Sequence, residues 1–227
     1  MHGYRQTFRR SRSLRHSILT IYTFFPSLQG GVRGRLIFES MQLVFASNNA
    51  HKLQEVRAIL PEHTILSLED IGCHADIPET ADTLEGNSLI KAQYVYDHYH
   101  CDCFADDTGL EIEALGNLPG VRTARWAGEP ANPANNRKKA LQELSGQTNR
   151  RARFRTVVTL IRSGKVQQVE GVVRGSIAAA EYGNGGFGYD PLFIPEGYDK
   201  TFAELPAELK NTISHRARAM QALKQIL

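Results

Sequence analysis

The sequence predicts an α/β domain over residues 41–227, with a mixed central sheet flanked by helices. Two patterns carry this expectation. From Met41 onward, short β-branched and aromatic runs alternate with stretches of helical period, the order that builds an α/β sheet. Then "ARFRTVVTLIRSGKVQQVEGVVRGSIA" (152–178) alternates around a Ser-Gly pair, which predicts a long antiparallel hairpin and makes the sheet mixed.

The elements follow in order. "MQLVFAS" (41–47) reads as a buried strand. "NAHKLQEVRAIL" (49–60) places Leu53, Val56, Ile59 and Leu60 at helical spacing and stops at Pro61. "HTILSL" (63–68) is a second strand. "TLEGNSLIKAQYVYDHY" (83–99) reads as a helix with Leu84, Leu89, Ala92 and Val95 on one side. "CDCFADD" (101–107) is the next strand, and "NPANNRKKALQELSG" (132–146) is a helix that Gly146 ends. After the hairpin come a short strand, "PLFIP" (191–195), and a C-terminal helix, "SHRARAMQALKQIL" (214–227), with Ser214 as N-cap.

Hydrophobic content of 41% and charged content of 22% place the chain among soluble globular proteins. No apolar run is long enough for a membrane-spanning helix. Three cysteines are too few and too clustered for a disulfide framework, so a reducing, cytoplasmic compartment is expected. "HYHCDC" (98–103) is a weak zinc signal, because structural zinc sites use wider spacings. Reduced structural thiols are the favoured reading.

Charge is uneven. Residues 1–40 hold seven arginines and one acid, net +6, so of the whole chain's +3 residues 41–227 carry −3. The basic leader admits three readings: a transit peptide, a nucleic-acid-binding arm, or an extension upstream of a true start at Met41. The last is favoured, since the regular pattern begins at Met41. The acidic body argues against nucleic acid as its partner.

Four motifs carry chemistry. "SNNAHK" (Ser47, Asn48, Asn49, Ala50, His51, Lys52) joins a strand to a helix start. Such a turn offers free N–H groups and the positive helix end to a phosphate. An N-cap Asn beside an exposed Lys explains it equally well. "FADDTG" sets Asp106 beside Asp107 at the strand end. Adjacent strand residues face opposite sides, so the pair shares one direction only if the strand has ended. Mg²⁺ takes one or two carboxylates plus substrate phosphates, and Glu79 in "DIPETADT" is a candidate second acid. A solvated Asx turn is the plain alternative. In "GNGGFGYDPLF" (183–193), glycines interleave with Phe187 and Tyr189, which can offer an aromatic face to a flat base or tuck into the core. "LKNTISHRARA" places Lys210, His215 and Arg216 about a helix start, either as a cationic wall or as an ordinary solvated terminus.

Together "FASNNAHKLQEV", "TLEGNSLIKA", "FADDTGLEIEALGNLPGVRTARWAG", "GGFGYDPLF" and "SHRARA" resemble the inosine triphosphate pyrophosphatase family, in order and across essentially all of 41–227. The resemblance implies a two-lobed domain with the substrate cleft between the lobes. It also implies hydrolysis of ITP, dITP or XTP to monophosphate and pyrophosphate, a Mg²⁺ cofactor and a homodimer. It assigns Asp107 as general base and, with Glu79, as metal ligand, with Asp106 in support. Ser47 to Lys52 and Lys91 face the phosphates. Thr108 contacts substrate. Phe187, Gly188, Tyr189 and Asp190 form the base loop, Phe187 being its stacking ring. Lys210, His215 and Arg216 read a 6-oxo purine. His51 and Gly86 depart from the family's usual residues, and Glu85, the neighbour of Gly86, is left unassigned. Two other functions stay in view: a related pyrophosphatase for modified pyrimidine or methylated nucleotides, and a nucleic-acid-binding protein that uses the basic arm.

Overall fold

The computed structural model describes residues 40–227; the readings of the leader fall, Ser40 apart, outside the described residues. Seven strands form one sheet in the order β2-β1-β3-β5-β6-β7, with β4 paired to the far end of β3. The strands are β1 (Gln42–Phe45), β2 (Thr64–Leu66), β3 (Cys103–Ile112), β4 (Leu118–Gly120), β5 (Arg151–Arg162), β6 (Lys165–Ile177) and β7 (Phe193–Pro195). The helices are α1 (Ala50–Ile59), α2 (Leu84–Tyr99), α3 (Pro133–Glu143), α4 (Ala207–Ile213) and α5 (His215–Lys224). β1 runs parallel to β2 and β3, and every other pairing is antiparallel. The expected mixed sheet is present.

The predicted hairpin is β5–β6. Arg162 pairs with Lys165 across Ser163 and Gly164, which have φ of 49° and 78°. Both central residues are left-handed, as the right-twisted two-residue turn requires. Ser163 pays the Cβ penalty there, and its N–H donates to Asp102 Oδ1 at 2.8 Å.

Three predicted elements shift. β3 runs on to Ile112 instead of ending at the acid pair, because residues 103–112 all find partners on β5. Leu89 is exposed, not buried; the buried side of α2 is Leu84, Asn87, Ser88, Lys91, Ala92 and Val95, half of it polar. The C-terminal helix ends at Lys224, and the short α4, opened by Pro206 and lacking an apolar stripe, precedes it. Ser214 is the N-cap of α5 as expected, accepting from Ala217 N–H at 3.2 Å. Asn132 caps α3 in the same manner.

The core falls into two lobes joined by the long strands. At one end Leu110, Ile112, Phe154, Val173 and Ile177 pack with α3, Tyr189, Phe193 and Phe202. At the other, alternate residues of β1 and β3 feed opposite faces. Leu43, Phe45 and Phe104 pack toward α1 and α5, and Val44, Ala46, Cys103 and Ala105 toward α2. Between the lobes the apolar pattern of β3 stops, and residues 106–109 are Asp-Asp-Thr-Gly. The polar middle of the strand is therefore the floor of the gap between the lobes.

α5 lies directly on β6. A Cβ at Gly171 would sit 2.1 Å from His215 O and 2.2 Å from Ala219 N, so no other residue fits without lifting the helix. Gly171→Ala is expected to lower unfolding stability by at least 1–3 kcal/mol, the usual cost of overpacking. Urea denaturation of the variant against the parent protein measures it.

Candidate active site

The cleft has a volume of about 630 Å³. Strand alternation divides the acid pair. Asp106 points to the α1/α5 face, where Lys52 Nζ lies 2.9 Å from its Oδ1 and the Arg216 guanidinium 3.2 Å from its Oδ2. Asp107 points to the α2 face, where Asn87 Nδ2 donates to Oδ2 at 3.2 Å and Lys91 Nζ stands 3.8 Å from Oδ1. Asp106 is wholly buried, whereas Asp107 lines the cleft. The two carboxylates have different neighbours and different proton affinities. Burial, the largest influence on Asp106, would raise its pKa; Lys52 and Arg216 outweigh it and hold the carboxyl well below the usual carboxylate range. At Asp107 burial wins over Lys91 and Lys52, and the pKa is raised.

Glu79 lies in the loop before α2. Its carboxylate accepts from Lys91 Nζ and is approached by Arg125 Nη1 at 3.5 Å, while Arg125 Nη2 holds its backbone carbonyl at 3.2 Å. Glu79 and Asp107 therefore converge on one point, with the Lys91 ammonium between them. Burial would lower the Lys91 pKa, but Asp107, Asp106 and Glu79 raise it, so the ammonium persists. Both donors are carboxylate oxygens, which suits a hard divalent cation. No group of three or more metal-capable His, Cys, Asp or Glu occurs among the described residues, so two carboxylates leave most coordination positions to water and phosphate.

The turn at 47–52 has the expected Asn cap, but Lys52 is not the exposed side chain expected beside it: it is largely buried against Asp106. Asn49 is the N-cap, its Oδ1 accepting from Lys52 N–H at 3.0 Å. Ser47 Oγ accepts from Asn49 N–H at 3.3 Å, and Asn48 Nδ2 donates to Ala75 O. The helix has no acceptor for the N–H groups of Ala50 and His51, which stay available at its positive end.

The base loop divides. Tyr189 is buried in the core, its hydroxyl donating to Thr123 O at 3.1 Å, so it does not present a free ring as the alternation of the loop suggested. Phe187 lines the cleft half-buried, but its ring is engaged rather than free: it stacks on His51 at 5.3 Å and 13°, and Lys210 Nζ lies 4.9 Å from its centroid. Asp190 is a brace. Its Oδ2 accepts from Phe187 N–H at 2.7 Å and from Lys210 Nζ at 2.5 Å. Gly186 is needed above it, since a Cβ there would come 2.1 Å from that oxygen. Gly188, with φ of 62°, continues the turn.

His215 and Arg216 have different situations. Arg216 is committed to Asp106, Glu55 and Thr108. His215 is buried; burial first, then Arg216 and Lys210, pushes its pKa well below the ordinary range, and its Nδ1 pairs with Thr156 Oγ1 at 2.7 Å. Sequence reasoning missed Glu55, which joins Lys210 (2.8 Å) to Arg216, as well as Asn87 and Thr156. Asn87 has a retrospective signal: it lies four residues before Lys91 and so shares its helix face. Glu85 pairs with Arg155 and does not line the cleft. In "HYHCDC", the Cys103 thiol donates to Ala92 O at 3.2 Å and the His98 ring lies on Tyr94.

A model of the Ham1 family matches residues 43–226, the whole span of this cleft. The chain belongs to the Ham1 family. The dITP/XTP pyrophosphatase of Flavobacterium johnsoniae is 55% identical over 188 residues, 82% of this chain and 98% of that protein. Among solved structures, the Staphylococcus aureus Ham1 protein aligns with a TM-score of 0.74 at 36% identity, covering 82% of this chain and 97% of that one. A HAM1 protein from Coxiella burnetii gives 0.75 at 35% identity, covering 82% and 98%. The resemblance drawn from the motifs is thus borne out at the level of family, and no helix among the described residues is long and apolar enough to cross a membrane.

Asp106 is expected to make the stability of this Ham1 family member sensitive to acid. Its folded pKa is depressed, so its stabilising effect is complete above the unfolded value of about 4 and is lost as pH falls below it. Asp106→Asn leaves Lys52 and Arg216 without their shared counter-charge and is expected to cost about 3 kcal/mol at pH 7. Denaturant titrations at pH 7 and pH 3 should find that the variant also lacks this part of the parent's acid-induced loss.

Proposed function

We propose that the protein hydrolyses the α–β phosphoanhydride of dITP, XTP and ITP, releasing pyrophosphate and the monophosphate and removing these nucleotides from the pool. The observation that carries the reading is the convergence of Asp107, Glu79 and Lys91 on one side of a cleft whose other wall is the α1 N-terminus. Relatives named dITP/XTP pyrophosphatase support the substrate class.

Asp107 is the general base. Its raised pKa makes it the better proton acceptor of the pair, and Asn87 and the Thr108 N–H fix its two oxygens toward the cleft. Asp106, held ionised, orients Lys52. Lys52, Lys91 and the free N–H groups of Ala50 and His51 hold the phosphates and meet charge that develops on the leaving pyrophosphate. Glu79 and Asp107 are the residues that would hold Mg²⁺, which when bound neutralises phosphate oxygens. Two protein carboxylates would leave most of the ion's coordination positions to water and substrate phosphate. Phe187 stacks on the base, and Lys210 and His215 border its edge. A 6-oxo group meets donors there; the 6-amino group of ATP would set donor against donor, a mismatch worth up to ~10⁴-fold.

The activity is assigned to residues 41–227. The free thiols of Cys73, Cys101 and Cys103 suit a reducing cytoplasm, and a homodimer belongs to the same reading.

A nucleotide panel with Mg²⁺, scored for pyrophosphate, tests the function. Inosine and xanthosine triphosphates are expected to exceed ATP, and preference for UTP, TTP or methylated nucleotides would transfer the chain to the related pyrophosphatase class. Asp107→Asn is expected to lower kcat by 10²–10⁴, and Glu79→Gln to raise the Mg²⁺ concentration needed for half-maximal rate. Parental rates in Asp107→Asn would remove it as the base.

A further inference from the structure

Thr108, Thr156 and Gly171 are aligned across the sheet: Thr108 pairs with Thr156 between β3 and β5, and Thr156 with Gly171 between β5 and β6. Partners in register share a face, so the three form one row beneath the start of α5. Gly171 supplies no side chain, and the His215 backbone descends into that space. The imidazole thereby reaches the next position in the row, Thr156, at 2.7 Å, and Thr156 Oγ1 in turn lies 2.8 Å from Thr108 Oγ1.

Each hydroxyl in this row has one proton to place. Thr108 Oγ1 accepts from Arg216 Nη2 at 3.4 Å, and can donate either to Asp106 Oδ2 at 3.3 Å or to Thr156 at 2.8 Å. The contact to Thr156 is the shorter, and Asp106 Oδ2 already accepts twice from the Arg216 guanidinium, at 3.3 and 3.2 Å; both favour the Thr108 proton on the side of Thr156. With its oxygen already accepting, Thr156 donates its own proton onward to His215 Nδ1. A neutral imidazole that accepts at Nδ1 carries its proton on Nε2. Neutrality agrees with burial and with the flanking Arg216 and Lys210 charges. Nε2 has no hydrogen bond among the described residues, yet it is not one of their buried side-chain atoms left without a partner, so it is accessible, and the cleft is the space that His215 lines.

We infer that Thr156 is a specificity-determining positioning residue: through the row Thr108–Thr156–His215 it holds His215 in the Nε2–H form, and so makes it a hydrogen-bond donor to the 6-oxo edge of the purine. The inference rests on the proposed purine substrate, and it adds how the site keeps its donor polarity. With Thr156 absent, Nδ1 loses its donor and the imidazole is free to place its proton on either nitrogen. A 6-amino purine then meets an acceptor in part of the population, and discrimination falls.

Two readouts on the full chain test it. In ¹⁵N-histidine spectra the His215 signal, assigned by its loss in His215→Gln, should show a protonated Nε2 and a bare Nδ1. Thr156→Val, nearly the same shape, should mix the two forms and lower the ITP-to-ATP ratio of kcat/KM about tenfold, the effect of one hydrogen bond of about 1.4 kcal/mol. Thr156→Ser, which keeps the hydroxyl, should restore both. A proton on Nδ1 in the parent protein overturns the inference. So does a Thr156→Val protein whose tautomer and substrate ratio both match the parent. If the parent hydrolyses no 6-oxo nucleotide, the proposed function fails, and the spectra still decide the role of Thr156.

Discussion

Asp106 is a carboxylate with no accessible surface in the middle of a sheet, and much of the site follows from neutralising it. A buried charge without partners would cost several kcal/mol. Lys52 comes to it from α1 and Arg216 from α5, which fixes both helices against β3. Arg216 also holds Glu55, Glu55 holds Lys210, Lys210 holds Asp190, and Asp190 holds the Phe187 backbone. One unbroken run of ion pairs and hydrogen bonds thus leads from the floor of the cleft to the loop that carries Phe187. The helix that begins at Ala50 and the loop 187–190 keep their spacing because they share this run.

The polar middle of β3 is equally a consequence of the two-lobed core. Residues 103–105 bury into one lobe and 110–112 into the other, so only 106–109 are spared from packing. Strand alternation then separates two chemically identical neighbours. Asp106 receives two cations and stays ionised. Asp107 receives an amide, one distant ammonium and a desolvating wall, and holds its proton more tightly. The difference needs no special residue, only a change of face.

Elements with strong local signals were legible in the sequence: the Ser-Gly turn of the hairpin, the Asn and Ser caps, the apolar run of β1. The acid pair was legible as a pair, and alternation correctly separated its members. What escaped was set by tertiary contact. Leu89 has helical spacing yet lies outward, because the buried face of α2 is given to Asn87 and Lys91, which reach Asp107 and Glu79, and to Ser88, whose hydroxyl pairs with Thr159 of β5. Tyr189 alternates with Phe187 in sequence, but a turn through Gly188 sends its ring into the core. Glu55 reads as an ordinary exposed helix residue until α5, far along the chain, brings Arg216 to it. The Thr108–Thr156–Gly171 row exists only once strand register is known.

The ion pairs of the cleft also set its charge stoichiometry. Five cations, Lys52, Lys91, Arg125, Lys210 and Arg216, are matched within the protein by five carboxylates, Glu55, Glu79, Asp106, Asp107 and Asp190. This set has no surplus positive charge with which to draw a polyanion from a distance, so electrostatic steering contributes little to encounter. An arriving polyphosphate has to share cations already engaged with carboxylates. Under the proposed function, discrimination would then rest on fit and hydrogen-bond polarity after contact, not on charge, which abundant nucleotides share.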